Sequence, residues 1–134
     1  QIVDGNAEST DETTLDLDSG PAWVVVDLGK ECEIFAILMW HRHSNIYVFR
    51  DVIIEVSNDM DFLDATVLFN NDHDGSLGKG YEKGHDKQYI ETYEGKLVDA
   101  KGTKGRYVRF WSNGNHYDGS NYWIEAMVFG RAVK

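Results

Sequence analysis

The sequence has only one cysteine, Cys32, among its 134 residues, so no disulfide can form within the chain. The apolar residues that follow Cys32 favour a buried, unreactive thiol. No stretch approaches the ~18 consecutive apolar residues that a membrane-spanning helix needs. The nucleophile-elbow, phosphate-loop and HExxH zinc patterns of common enzymes are also missing. These absences exclude an internal disulfide and a membrane-spanning helix, and they argue against catalysis of those kinds.

Basic residues are few: 13 lysines and arginines stand against 23 aspartates and glutamates, for a net charge of −10. The average field of such a surface repels nucleic acid and anionic lipid. We therefore predict no nucleic-acid partner and disfavour a membrane. A hydrophobic content of 42% is too high for a disordered chain, and the length suits one domain, residues 1–134. The start at Gln1 predicts a module excised from a larger protein, monomeric in isolation.

What the sequence does contain is a series of short β-rich runs between polar loops that carry glycine, with almost no helix signal. The segment 34–40 is apolar at nearly every position, which is typical of a central strand, and the segment 52–57 alternates. The predicted strands are 23–28, 34–40, 52–57, 65–69, 88–92, 96–100, 107–111 and 122–129, with a helical turn at 59–62. This pattern predicts an all-β fold, an antiparallel jelly-roll β-sandwich.

Motifs spread over most of the chain resemble those of one family. They are DGN at 4–6, WVVVDLGK at 23–30, VSND at 56–59, RYVR at 106–109 and EAMVFG at 125–130. Their order and spacing are similar to the discoidin, or coagulation-factor C-type, family, and the chain is most like a family 32 carbohydrate-binding module. Segments 40–43 and 70–74 also resemble a subgroup from secreted bacterial proteins that process polysaccharides.

The resemblance implies a galactose-binding-domain-like jelly roll and a non-catalytic function. Members bind an oligosaccharide or polysaccharide, so we expect this chain to target a larger polysaccharide-active protein to galactose- or galacturonate-type glycans. It also implies a secreted, periplasmic or extracellular location. Two alternatives stay open: adhesion to protein or lipid, and metal-dependent polysaccharide cleavage by the histidines and aspartates of the loops.

The resemblance further implies a structural calcium ion between the first loop and the last strand. Calcium takes six to eight oxygen ligands, with backbone carbonyls completing the set. The ligands implied are Asp4, Asn6, Ser9 or Thr10, the carbonyl of Ile124, and Glu125. From the residues alone, the segment 4–6 is equally typical of a turn.

Aromatic, amide, imidazole and guanidinium groups are concentrated in segments 40–47 and 111–122. A sugar site needs a flat aromatic face for the C–H side of the ring and forked polar groups for its hydroxyls. The candidate ligand-binding residues are His41, Arg42, His43, Asn45, Asn71, Asp72, Trp111, Asn115, His116 and Tyr117. Core packing is the alternative for the aromatic members, and a structural role is the alternative for His43. The segment 71–76 is open to three interpretations: a solvated loop, a sugar contact or a second metal site.

Overall fold

The computed structural model describes residues 14–78, 81 and 84–133, and this part of the chain is built from strands and loops. The strands are β1 (Leu15–Ser19), β2 (Ala22–His41), β3 (Ile53–Ser57), β4 (Thr66–Asn70), β5 (Lys96–Ser112) and β6 (Ser120–Ala132). Among the described residues no helix is long and apolar enough to cross a membrane. The prediction of an all-β fold is confirmed.

The two long strands, β2 and β5, organise the fold. They pair antiparallel along nearly their whole length, with register shifts between Asp27 and Cys32 and between Ile34 and Ala36. Strand β6 pairs with the second half of β2, whereas β3 pairs with the second half of β5. The strand order is β1-β6-β2-β5-β3-β4. Because β6 and β3 border opposite halves of the long pair, the sheet folds over itself into the two layers of a jelly-roll sandwich.

The core lies between those layers. Ile54 and Phe110 come from the layer that contains β3, and Ile37 and Trp123 come from the layer that contains β6; all four are fully buried. The rings of Phe110 and Trp123 meet edge to face with centroids 5.5 Å apart, which joins the layers directly. Each side chain of this size stabilises the fold by about 1.5–3 kcal/mol through burial.

Several predicted boundaries differ from the observed ones. The predicted strands 23–28 and 34–40 form one strand, as do 96–100 and 107–111, because bulges carry the chain through the intervening glycine-bearing segments. Segment 88–92 is a connector, not a strand. Residues 59–62 form a hydrogen-bonded turn, not a helix. Cys32 is half-buried and not fully buried as predicted. Strand β1 is not among the predicted strands, because its leucines alternate with charged aspartates.

Candidate functional site

The loop that follows β2 and the loop that precedes β6 lie side by side at one end of the sandwich. The N–H of Arg50 donates to the carbonyl of Gly114 at 2.9 Å, and the N–H of Asn113 donates to the carbonyl of Arg50 at 2.8 Å. Gly114 has φ +76°, and a Cβ there would lie 2.4 Å from the carbonyl oxygen of Gly119. Only glycine fits this close approach. The two predicted sugar-binding loops therefore form one surface.

Arg42 and Tyr117 meet on that surface around the buried ring of Tyr47. The guanidinium carbon of Arg42 lies 6.0 Å from the Tyr47 centroid and 5.1 Å from the Tyr122 centroid. The Tyr117 ring packs against Tyr47 at 5.9 Å, edge to face, yet it is 68% exposed. The hydroxyl of Tyr122 donates to Asp118 Oδ2 at 2.7 Å. We name the group formed by Arg42, Tyr117, Asp118 and Tyr122 the Arg42 surface.

Asn115 is the scaffold of this surface. Its side chain is fully buried, and its Oδ1 accepts the N–H groups of Tyr117 (2.8 Å) and Asp118 (3.0 Å). Its Nδ2 donates to Asp118 Oδ1 at 2.9 Å and to the carbonyl of Ser120 at 2.7 Å. We infer that Asn115 orients Tyr117 and Asp118 and does not itself face a ligand.

The carboxylate of Asp118 is ionised at neutral pH. Partial burial raises its pKa, but hydrogen bonds from Tyr122, Asn115 and the N–H of Ser120, together with the charge of Arg42, outweigh that effect and lower the pKa. The same hydrogen bond raises the pKa of the Tyr122 hydroxyl, which keeps it a donor. The surface thus offers one fixed cation and one fixed anion.

His41 lies in the core and not on this surface. It is fully buried. Its ring centroid lies 4.2 Å from that of Phe49 and 3.9 Å from that of Trp123. Its Nδ1 is 2.9 Å from Glu91 Oε1, which also accepts the backbone N–H of His41. The physical reason is strand alternation, which turns Ile37, Met39 and His41 inward. Contrary to the prediction, His41 has no exposed surface with which to contact a sugar.

Trp111 lies on the outer face of the layer formed by β2, β5 and β3. Its ring is 4.9 Å from that of Trp23, which is 53% exposed, and its Nε1 donates to Glu55 Oε1. Trp23 is thus a half-exposed residue on the outer face of the sheet. In the loops themselves, His43 is half-buried and Asn45 is exposed.

His116 is also exposed, and its Nδ1 accepts the N–H of Val48 at 3.1 Å. The N–H of His116 donates in turn to the carbonyl of Val48 at 3.1 Å. This reciprocal pair of hydrogen bonds fixes the His116 ring on the preceding loop, at the border of the Arg42 surface.

A second concave region, which we name the acidic cleft, opens beside Arg50 with a volume of about 450 Å³. Its walls include Arg50, Asp51, Asn71, Asp74 and Asn113. Asp72 lies beside it, and one carboxylate oxygen each from Asp51, Asp72 and Asp74 lie within 4.8 Å of one another. The candidates Asn71 and Asp72 therefore lie together at this cleft, whose lining includes none of the four residues of the Arg42 surface.

Hydrogen bonds hold the carboxylates of the cleft in place. Asp72 accepts the N–H groups of Ser76 and Leu77, both at 3.1 Å. Asp51 Oδ2 accepts the Ser76 hydroxyl at 2.6 Å and Asn113 Nδ2 at 2.9 Å. Burial, followed by the neighbouring carboxylates, raises the pKa of Asp72. Bonds from Ser76 lower the pKa of Asp74.

Most of the predicted calcium ligands, namely Asp4, Asn6, Ser9 and Thr10, fall outside the described residues. Ile124 and Glu125 are both fully buried on β6. Glu125 is paired with Trp40 in the sheet register, and its Oε1 accepts the N–H of Ala126 at 3.2 Å. An oxygen ligand at this buried position is compatible with the predicted calcium site, which stays a prediction.

The alternative metal site built from histidine and aspartate is not formed among the described residues, although His73 lines the acidic cleft. Within the described ranges, the metal-sized group of acidic residues consists of Asp51, Asp72 and Asp74, and no histidine belongs to it. His41 is held by Glu91 in the core. An exposed aromatic ring, a forked guanidinium and a fixed carboxylate are suited to non-covalent recognition of a polyhydroxylated ligand.

Comparisons with known proteins agree with this fold. A family model of the F5/F8 type C group, described as "NedA-like, galactose-binding domain", matches residues 1–110. No curated protein sequence matches. Among solved structures, CBM32 of AlyQ in complex with 4,5-unsaturated mannuronic acid is similar with a TM-score of 0.66 and 15% identity, over 96% of this chain and 82% of that one.

Two further structures share the fold. A pectin-binding carbohydrate-binding module aligns with a TM-score of 0.66 and 18% identity, over 99% of this chain and 84% of that one. A family 89 glycoside hydrolase from Clostridium perfringens, in complex with PUGNAc, aligns with a TM-score of 0.72 and 17% identity, over 98% of this chain. The chain spans 12% of that hydrolase.

Proposed function

Because the chain belongs to the family of NedA-like galactose-binding domains, we propose that it binds carbohydrate without catalysis, at the Arg42 surface. The observation that carries this proposal is the Tyr117 ring, which is 68% exposed although its backbone and its neighbours are tightly fixed. Such a ring supplies a flat apolar platform for a sugar, and its fixed backbone lowers the entropy lost on binding.

The polar groups of the Arg42 surface suit the hydroxyls of that sugar. Arg42 presents a forked donor, and Nε of Arg42 is held by the Ser44 hydroxyl at 3.2 Å. Asp118 is an ionised acceptor within the field of Arg42. A site with both donors and acceptors discriminates between sugars by the directions of their hydroxyl groups.

We infer that the sugar is neutral and galactose-type, in preference to galacturonate. Of the three consecutive basic side chains His41, Arg42 and His43, the first is buried beside Glu91 and does not reach this surface. The charge of Asp118 offsets that of Arg42. A uronate carboxylate placed here would meet little net positive charge.

The chain would act as a targeting module of a larger, secreted polysaccharide-active protein. The support for this part is that one structural relative is a segment of a glycoside hydrolase chain and another comes from a protein with an alginate lyase domain. A shallow site on one tyrosine should bind weakly, with a Kd on the order of 0.1–1 mM. Attachment to a polymer at several points makes such weak binding sufficient.

The test is a calorimetric titration of galactose and galacturonate oligomers into the wild type and into Arg42→Ala and Tyr117→Ala. We expect each substitution to weaken the binding of galactose at least about tenfold. A tenfold change corresponds to about 1.4 kcal/mol of binding free energy, the size of one good contact. Trp23→Ala, on the outer face of the sheet, is the matched aromatic control and should leave affinity unchanged. Binding that neither loop substitution weakens would refute the Arg42 surface, and a failure to bind any glycan would favour adhesion.

A further inference from the structure

The acidic cleft holds three carboxylates that form no ion pair with a lysine, arginine or histidine among the described residues, although Arg50 is part of its wall. They belong to Asp51, Asp72 and Asp74. Asp51 and Asp72 are nearly buried, at 8% and 4% exposure. Carboxylates so close together in a region of reduced solvent attract a cationic ligand.

A second and independent feature of the cleft is an unused donor. Asn71 has no exposed surface, and its Oδ1 accepts the N–H of Val52 at 2.7 Å, which fixes the orientation of the amide. Its Nδ2 has no hydrogen-bond partner among the described residues. A buried donor without a partner costs about 1–3 kcal/mol, and Asn71 lines the cleft. A ligand oxygen in the cleft would accept a hydrogen bond from this Nδ2.

The carboxylates, the amide donor and Arg50 together define the ligand. A metal ion would share both oxygens of Asp72 with the N–H groups of Ser76 and Leu77, which already occupy one lone pair of each oxygen. Arg50 and the Asn71 amide would also face that ion with hydrogens. An ammonium group needs only a few acceptors, and hydroxyls on the same molecule would accept from Asn71 and Arg50.

We propose that the acidic cleft binds a sugar that carries a free amine, with the ammonium group at the aspartates and hydroxyl oxygens at Asn71 and Arg50. The volume of about 450 Å³ lies in the range of small-ligand pockets. This site extends the proposed carbohydrate binding but is separate from the Arg42 surface, so each can fail without the other.

The experiment is a titration of the isotope-labelled chain, followed by amide NMR, with a glucosamine trimer and with its N-acetylated form. We expect the glucosamine trimer to shift the amide signals of Asn71, Gly75 and Asn113. It should bind about tenfold more tightly than the acetylated trimer, since acetylation removes one charge-assisted contact. Asp74→Asn keeps an oxygen for the N–H of Ser76 and should abolish that preference. Asp61→Asn removes an equal charge from an exposed turn and should preserve it.

The outcomes separate the two sites. Arg42→Ala should weaken galactose binding at least about tenfold and leave the response to glucosamine intact, which would support a distinct cleft. Equal affinity for both trimers, or shifts confined to Tyr117 and its neighbours, would overturn the amine site while leaving the Arg42 surface standing. Calcium chloride is the competing probe: a saturable shift of the cleft amides with calcium, lost in Asp74→Asn, would also overturn the amine site in favour of a metal.

Discussion

Arg42 contacts Tyr122 twice, once through its backbone and once through its side chain. The N–H of Arg42 donates to the carbonyl of Tyr122 at 2.9 Å, and the guanidinium carbon lies 5.1 Å from the centre of the Tyr122 ring. The end of β2 and the start of β6 are thereby joined at the proposed sugar surface. The orientation of the guanidinium is fixed before any ligand arrives, which lowers the entropic cost of binding.

Arg42→Lys tests whether the fork of the guanidinium, and not merely its charge, binds the sugar. Lysine keeps the positive charge but cannot donate two parallel hydrogen bonds or stack flat on Tyr122. We expect galactose affinity to fall about fivefold or more, while stability changes by less than about 1 kcal/mol because the site is near the surface. Calorimetry with thermal unfolding measures both. Unchanged affinity would show that charge alone suffices there.

Asn121→Ala tests how the loop before β6 is held. Asn121 is fully buried; its Oδ1 accepts the Ser112 hydroxyl (2.6 Å) and the N–H of Gly114 (2.7 Å), and its Nδ2 donates to the carbonyls of Asp18 and Gly20. Removal leaves several buried polar groups without partners, so we expect a loss of about 2–4 kcal/mol in the free energy of unfolding.

Chemical denaturation of Asn121→Ala beside Asn45→Ala measures this loss. Asn45 is exposed, so its substitution should change stability by less than about 0.5 kcal/mol. Equal stabilities of the two variants would contradict the anchoring role of Asn121.

Glu55→Gln tests the charge network on the outer face of the sheet. The Glu55 carboxylate is fully buried and accepts two bonds from Arg109, at 2.9 and 3.2 Å, and others from Trp111 and Tyr81. Burial raises its pKa, but these donors prevail and the pKa lies below its ordinary value of 4.5. Because breaking a buried ion pair leaves an unpaired charge, we expect a loss of about 3–5 kcal/mol at neutral pH.

The pH dependence has a definite sign. A lowered native-state pKa means that the unfolded state binds more protons as the pH falls below about 4.5. The stabilisation by Glu55 is thus complete above that pH and is lost as the pH falls further. The difference in stability between wild type and Glu55→Gln should therefore shrink in acid. Glu33→Gln, which disrupts the exposed pair with Arg131, should cost less than about 1 kcal/mol. A difference that grew in acid would contradict the network.

Chelation tests the structural calcium ion that we propose at Glu125. An ion bound only by the native state raises stability by mass action, so a chelator should lower Tm and added calcium should restore it. Glu125→Gln should abolish this response. Asp74→Asn should retain it, since Asp74 belongs to the acidic cleft. A Tm that is indifferent to chelation, or a response that depends on Asp74, would contradict the assignment to Glu125.

The sequence by itself determined the β architecture and the loops that meet. Alternation in segment 52–57 and the apolar run at 34–40 depend on local periodicity, which a strand must obey to bury one face or both. Arg42 and Tyr117 could be proposed together because both lie in polar loops that the order of the motifs brings to one end. The composition of segment 88–92 predicts a strand, but the segment is a connector. There the N–H of Glu91 donates to the carbonyl of Tyr47 at 2.9 Å.

Only the tertiary structure decided which polar side chains face outward. His41 and Arg42 are neighbours in the chain, yet one lies in the core with Glu91 and the other stands over Tyr122, because inward and outward positions alternate and the register is set by distant strands. Only the tertiary structure likewise places the Asp51 carboxylate within 4.8 Å of those of Asp72 and Asp74, because two loops distant in sequence approach each other. Residues far apart in sequence acquire a common electrostatic environment only when folding places them within a few ångströms, and local pattern contains no information about that distance.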